Sequence, residues 1–245
     1  MYILTLPHLK KSAKLIAKNL SDRTGKRIEV HVSPQLAAPL IRWGSVANSY
    51  EQDTKLNSRK SIRFSGSKLA CSNLLSTTDL KYVEIQSGIP ERYPVVVRTT
   101  LTGMGGAGII VARDEREFQP YKDEYWSYYH NFSYEVGAHM LGGQLVKLFK
   151  KTWNRSEDEP RYPIRNLERG YGFRKVGFSS QFSALKDYIS SLYDVLGIEM
   201  GRADIGWDSV DRCYRLIEMN TAPGLSNNDD TLGMYTDFLY ERIFV

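Results

Sequence analysis

Residues 93–113 read YPVVVRTTLTGMGGAGIIVAR: an apolar β-branched run, a glycine-dense turn, and a second apolar run that ends in charge. Two strands joined by a glycine-rich loop fit that pattern. Gly103, Gly105, Gly106 and Gly108 would let the backbone approach an anion closely and turn several N–H groups toward it. Arg98 adds a fixed positive charge on the strand leading in. A tight hairpin turn with no ligand explains the same residues. Two common phosphate fingerprints do not fit. A P-loop requires Gly-Lys-Ser/Thr where this chain has Gly-Ala-Gly-Ile, and a dinucleotide fingerprint requires a helix where residues 109–112 read as strand. What is left is a hairpin lid over a nucleotide.

Composition sets wide bounds. A chain of 245 residues can form one large domain or about two to three small lobes. Its 42% hydrophobic and 25% charged residues are ordinary for a globular protein. No apolar run approaches the ~18 residues of a membrane span. The N-terminal MYILTLPHLKK puts apolar residues before basic ones and lacks a small-residue cleavage site, so it reads as a first strand. Cys71 and Cys213 have no metal-ligand spacing and read as buried small side chains in a reducing, cytoplasmic setting. A net charge of +5 and a pI near 9.0 permit an anionic partner, nucleic acid included, without requiring one.

Outward from the hairpin, periodicity predicts a β-α-β start: strand 2–6, helix 10–20, a turn at 21–25 and strand 27–32. Residues 48–61 are polar and read as loop with short helical pieces. Lys55, Arg59, Lys60, Arg63 and Lys68 make this the most basic region, either a solvated face or a contact with an anionic substrate. A helix is expected over 67–75, then a segment 76–89 ended by Gly88-Ile89-Pro90. An aromatic strand follows at 124–129, a hairpin at 134–140 and 144–151, and a loop at 153–172. Helix 180–196 carries apolar residues at helical spacing and stops at Gly197. Strands 203–207 and 213–219 pair, and helix 232–244 closes the chain.

On the last strand, Glu218 and Asn220 lie two residues apart and share a face, and hairpin pairing can bring Asp204 beside them. Three oxygen donors on one surface suit a hard cation such as Mg²⁺. Three unrelated surface residues would read the same way.

Together the two halves are more specific. A glycine hairpin followed by Asp204 and then LIEMNTAPGL at 216–225 resembles the ATP-grasp superfamily. Within it the likeness is to the carboxylate–amine ligases: ribosomal-protein glutamate ligases, glutathione synthetases and D-alanine–D-alanine ligases. It covers residue 64 to the C-terminus. The resemblance implies an α/β fold in which two α/β subdomains clamp ATP after a short N-terminal α/β lobe. The expected divisions are 1–65 on the substrate side, 66–128 carrying the glycine flap, and 129–245 carrying the Mg²⁺ site.

The resemblance also implies roles. Lys68 would touch ATP phosphates. Arg98 stands where such ligases usually have lysine, presenting a planar fork in place of a point charge. Residues 103–108 would be the flap, and Tyr128 and Tyr129 would lie on the hinge strand that pairs with adenine. Glu135 would bind ribose hydroxyls. Lys147 and Lys151 alternate on one strand and would face the phosphates, although a solvated lysine edge reads the same. Arg165 would belong to a loop closing over an acyl phosphate, and Asp204, Glu218 and Asn220 would hold Mg²⁺ or Mn²⁺. Arg98, Lys151 and Arg165 are the expected catalytic cations. One departure is Gly137, where many such ligases carry arginine two positions after the acid.

The implied reaction is ATP-dependent C–N ligation through an acyl phosphate, giving ADP and phosphate. The substrates would be a carboxylate and an amine, and the basic stretch hints at an acidic or polymeric acceptor. Dimers are common among such ligases, so a homo-oligomer is among the expected states. Two other readings stay open: a phosphotransferase or kinase on the same fold, and a non-catalytic nucleotide- or nucleic-acid-binding module. His8, His31, His130 and His139 are scattered and read as structural.

Overall fold

The computed structural model describes residues 1–35, 39–47, 56–100, 108–157, 159, 163–166, 168–225 and 230–245. Three sheets organise these residues into an α/β fold of several subdomains, as the resemblance implies.

The first sheet is parallel, with strand order β2-β1-β3: β1 (Tyr2–Thr5), β2 (Glu29–His31) and β3 (Ile41–Trp43). Helix α1 (Lys10–Thr24) covers it through Ala13, Ile16, Ala17 and Leu20, one apolar stripe at helical spacing. The helix outlasts its expected end at residue 20. The first left-handed stop comes only at Gly25, whose φ is 66° and whose N–H returns to the Ser21 carbonyl.

Two short helices follow, α2 (Arg59–Gly66) and α3 (Lys68–Leu75). Serines start both: Ser58 accepts from the Ser61 N–H and Ser67 from the Ala70 N–H. The second cap makes Lys68 the first residue of α3. Segment 76–89 forms no regular element, because its backbone bonds go outward to two different sheets. The Val83 N–H donates to the Leu216 carbonyl at 2.8 Å, while Gln86 and Trp126 exchange bonds of 2.7 and 2.9 Å.

The second sheet is antiparallel, order β5-β4-β6: β4 (Val95–Arg98), β5 (Ile109–Ala112) and β6 (Tyr125–Tyr128). Val95, Val97, Ala112, Phe118 and Trp126 form its own small core. A four-residue helix, α4 (Glu115–Phe118), leads out of β5.

The third sheet has five antiparallel strands in the order β11-β10-β7-β8-β9: β7 (Tyr134–Leu141), β8 (Gln144–Trp153), β9 (Tyr171–Val176), β10 (Met200–Asp208) and β11 (Cys213–Asn220). Helix α5 (Ser183–Leu196) buries Leu185, Ile189 and Leu192 against one face. At one end of the other face sits α6 (Thr231–Phe244), which packs back onto α1 and the first sheet. The rest of that face opens into a cleft. Among the described residues no helix is long and apolar enough to cross a membrane.

Candidate active site

The cleft has a volume of about 910 Å³ and is lined by residues of the second and third sheets, of α2 and α3, and of the chain flanking the first sheet, such as Leu6 and Gly44. Its floor is the open face of β10, β11, β7 and β8. Asp204 and Glu218 are direct register partners, and Arg202 faces Asn220 one step along the pair. This placement depends on a β-bulge. Asp204 pairs with Glu218 but Ile205 pairs with Leu216, so Ile217 is the extra residue. Strict alternation would set Glu218 on the face of Tyr214 and Leu216, which belong to the core under α5. The bulge resets the phase, so Leu216 and Met219 stay in the core while Glu218 and Asn220 line the cleft.

Every carboxylate of the floor is paired. Lys151 reaches both Glu135, at 3.0 Å, and Asp204, at 3.1 Å. Arg202 donates its Nε to the other Asp204 oxygen at 3.0 Å. Lys68 lies 2.8 Å from Glu218 Oε2. Burial alone would raise the Asp204 carboxyl, but Lys151 and Arg202 overturn that and hold it below the usual carboxylate range. Burial would likewise lower Lys151, and its two carboxylate partners raise it instead.

On the opposite wall Arg98 ends β4. It is 6% exposed, and its Nε has no hydrogen-bond partner. Burial pushes its guanidinium down from its ordinary value, with Glu218 pulling the other way. A buried cation with an unused donor is costly unless an anion arrives. Six described cations line the cleft, Arg63, Lys68, Arg98, Lys151, Arg165 and Arg202, against three carboxylates, Glu135, Asp204 and Glu218. The excess of positive charge favours a polyanion.

Most of the expected positions come together here. Lys68, Arg98, Tyr128, Tyr129, Glu135, Lys151, Arg165, Asp204, Glu218 and Asn220 all line the cleft. Trp126 spends its backbone N–H and C=O on Gln86, along the edge of β6 away from β4. Two residues on, Tyr128 presents its own backbone to that same edge. Arg165 donates to the Phe132 carbonyl at 2.6 Å. Gly108 closes the β4–β5 connection with φ 72° and accepts from the Thr99 N–H at 2.9 Å. Gly103, Gly105, Gly106 and Lys55 lie outside the described residues.

Lys147 is the correction. It does not line the cleft, because the start of α6 covers its end of the sheet and its ammonium is bound to Asp230. Neither Lys147 nor Lys151 is a solvated edge, since their side chains are 5% and 11% exposed. Cys71 is buried as expected, whereas Cys213 is half-buried at the start of β11. Gly137, where the resemblance expects arginine, lies beneath Arg202: a Cβ there would meet Arg202 Cδ at 3.1 Å. The sequence reading missed Arg202, although its place two residues before Asp204 on a strand put it on the same face.

The oxygen set fits a hard divalent cation. It consists of two carboxylates and an amide; among the described residues no three His, Cys, Asp or Glu side chains converge as a metal cluster. Glu218 Oε1 has no partner among the described residues. Asn220 Oδ1 accepts only the Ala222 N–H, at 3.1 Å. Such a set leaves coordination positions for phosphate and water, as Mg²⁺ prefers. Lys68, Lys151 and Arg202 pair with its carboxylates.

No family model and no curated protein matches this chain. Solved structures do. The ATP-grasp ligase PsnB, complexed with a minimal precursor, Mg and ADP, matches over 99% of this chain and 96% of its own with a TM-score of 0.68 and 13% identity. A RimK domain ATP-grasp protein from Sphaerobacter thermophilus matches over 98% and 99%, with a TM-score of 0.63 and 14% identity. The D-alanine–D-alanine ligase of Bacillus anthracis, complexed with ATP, matches over 99% and 94%, with a TM-score of 0.63 and 10% identity. At these identities the likeness is one of fold, and it spans the chain from end to end.

Proposed function

We propose that this chain, which has the fold of the ATP-grasp ligases, is an ATP-dependent carboxylate–amine ligase. One observation carries the proposal: Asp204, Glu218 and Asn220 share the floor of a cationic cleft, opposite the unpartnered Nε of Arg98. Asp204, Glu218 and Asn220 would hold a magnesium or manganese ion, which when bound neutralises phosphate charge. Lys68 and Arg98 would draw the terminal phosphate toward the acceptor and stabilise charge as it moves. Lys151, fixed between Glu135 and Asp204, would hold the floor in register. The edge of β6 at Tyr128 would receive the adenine, and Glu135 the ribose.

In the proposed reaction a substrate carboxylate attacks the terminal phosphorus and ADP leaves. An amine then attacks the acyl carbon, phosphate leaves, and the amine gives up a proton. Positioning and charge, not a protein nucleophile, carry both steps. The cleft is near the upper end of ligand pockets, which span about 300–1,000 Å³, and so has room for a nucleotide with an acceptor. The PsnB structures hold a precursor peptide, which supports a peptide as the acceptor here.

The test is product analysis. Glu218→Ala and Asn220→Ala should abolish ATP turnover while leaving the circular dichroism spectrum intact, and wild-type-like turnover in either would refute the oxygen-set assignment. Mass spectrometry after incubation with ATP, amino acids and acidic peptides should show a product lighter by one water than its two parts. Phosphorylated acceptor without amide would assign a phosphotransferase instead.

A further inference from the structure

The end of the cleft beside the first sheet has a chemistry of its own. Leu6, Leu9 and Val46 line it, and Val46 is 43% exposed. The backbone behind this apolar wall is fixed. The Leu9 N–H returns to the Leu6 carbonyl at 3.0 Å. Arg59 Nε donates to the Val46 carbonyl at 2.8 Å, and Arg42 donates to those of Ser45 and Ala47 at 3.4 and 2.7 Å. A wall held in this way keeps its shape with its side chains open, and loses little freedom when a ligand covers it.

The wall meets the floor just past the oxygen set. A Cβ on Gly44 would stand 3.0 Å from Ala222 Cβ and 3.9 Å from Thr221 Oγ1, and one on Gly66 would stand 3.9 Å from the same oxygen. Thr221, the residue after Asn220, therefore sits between two positions without side chains. Helix α2 supplies the charge. Arg63 lies one turn beyond Arg59 on the same helix face, and so follows the Val46 segment along the cleft. Lys68, Lys151 and Arg202 are committed to the carboxylates of the floor, and Arg98 is buried. Arg63 is exposed and pairs with no carboxylate among the described residues.

We propose that this end of the cleft selects an amine substrate in which an aliphatic side chain lies next to a carboxylate, the side chain against Leu6, Leu9 and Val46 and the carboxylate on Arg63. Val46 and Arg63 are then specificity-determining residues, and the substrate keeps this carboxylate through both steps of the reaction. The proposal rests on the ligase reading of the same cleft and adds a substrate class to it. A free amino acid and the first residues of a peptide offer the same chemistry. The experiment is calorimetric titration of leucine, alanine, leucinamide, and the amides of Leu-Asp, Ala-Asp and Leu-Asn into protein loaded with magnesium and a non-hydrolysable ATP analogue. Wild type should bind leucine or Leu-Asp-amide at least about 10-fold tighter than the matching alanine compound, as the extra buried carbons require, and about 10-fold tighter than leucinamide or Leu-Asn-amide, as an ion pair to a hydrogen-bonding cation requires. Which of the two series shows the preference identifies the source. Arg63→Gln should abolish the preference for a carboxylate and keep that for leucine; Val46→Ser should do the reverse. Both positions are exposed, so neither variant threatens the fold, and a merely structural role would not separate the two preferences. Absence of either preference in wild type, or loss of both together in each variant, overturns the proposal while the ligase reading stands. Failure of the ATP analogue itself to bind wild type takes down both.

Discussion

Lys68 and Glu218 form an ion pair at 2.8 Å that ties the head of α3 to the end of β11. A cation expected on phosphate and a carboxylate expected on metal are thus held against each other, and Mg-ATP would separate them. Lys68→Met should lower ATP affinity by about 10- to 100-fold, as the loss of one hydrogen-bonded charge contact does. Stability should change by no more than about 1 kcal/mol, because the carboxylate is partly open to solvent. Calorimetry with Mg-ATP and a thermal melt measure the two effects. Unchanged affinity would place Lys68 outside the phosphate site.

His130 makes stability depend on pH. Its ring stacks on Phe132 at 5.4 Å and lies 3.6 Å from Asp208. Burial first, then Arg215, push the imidazole below its ordinary value, while Asp208 and Asp211 oppose them. A base with a depressed folded pKa is kept neutral by the fold. Its contribution is therefore complete above the unfolded value of about 6.5 and is lost as pH falls through the folded value. Urea midpoints should drop on acidification from about pH 7.5 to about pH 5, and less so in His130→Phe. Parallel curves for the two proteins would exclude the imidazole.

The site was legible where chemistry repeats a spacing, and not where backbone departs from one. Glu218 and Asn220 could be placed on one face by their separation, and Asp204 opposite them by pairing. The bulge at Ile217 was invisible, yet it keeps Leu216 in the core while Glu218 faces the cleft. Strict alternation in YRLIEMN sets Leu216 and Glu218 on one face, and only partner strands decide where the extra residue goes. Lys147 and Lys151 alternate alike, but α6, distant in sequence, covers one of them. β3 and β9 were missed because a short strand completed by neighbours carries little periodic signal of its own. The strap at 82–86 was missed for the same reason, since its bonds go to Leu216 and Trp126.

Gly206 should not tolerate a methyl group. Its added Cβ would overlap the Phe132 ring, and overpacking of this kind costs about 1–3 kcal/mol. Phe132 also accepts the Arg165 bond at 2.6 Å, so its displacement moves a cation of the cleft. Gly206→Ala should lower the melting temperature and turnover together. Gly233→Ala, in α6 with nothing within 4 Å, is the contrasting substitution and should stabilise by about 0.5–1 kcal/mol. Equal melts for both variants would show that Phe132 yields freely.

Asn57 fastens the approach to α2 onto the first residue of β10. It is fully buried with φ 53°, a left-handed conformation that asparagine tolerates better than most residues. Its amide donates to the Met200 carbonyl at 2.9 Å and accepts from the Met200 N–H at 3.1 Å. Removing both bonds strands two backbone groups in the interior, at about 2–3 kcal/mol. Alanine keeps a Cβ in the left-handed region without asparagine's tolerance for it, so Asn57→Ala should cost more than Asn57→Gly. Asn57→Asp keeps the acceptor but sets a carboxylate against the Met200 carbonyl, and should be destabilised most at neutral pH. Because β10 carries Arg202 and Asp204 while the chain beyond Asn57 leads to Lys68, turnover should fall in the same order as the urea midpoints. An Asn57→Ala protein as stable as wild type would mean that Met200 finds other partners, and the fastening would then lie elsewhere.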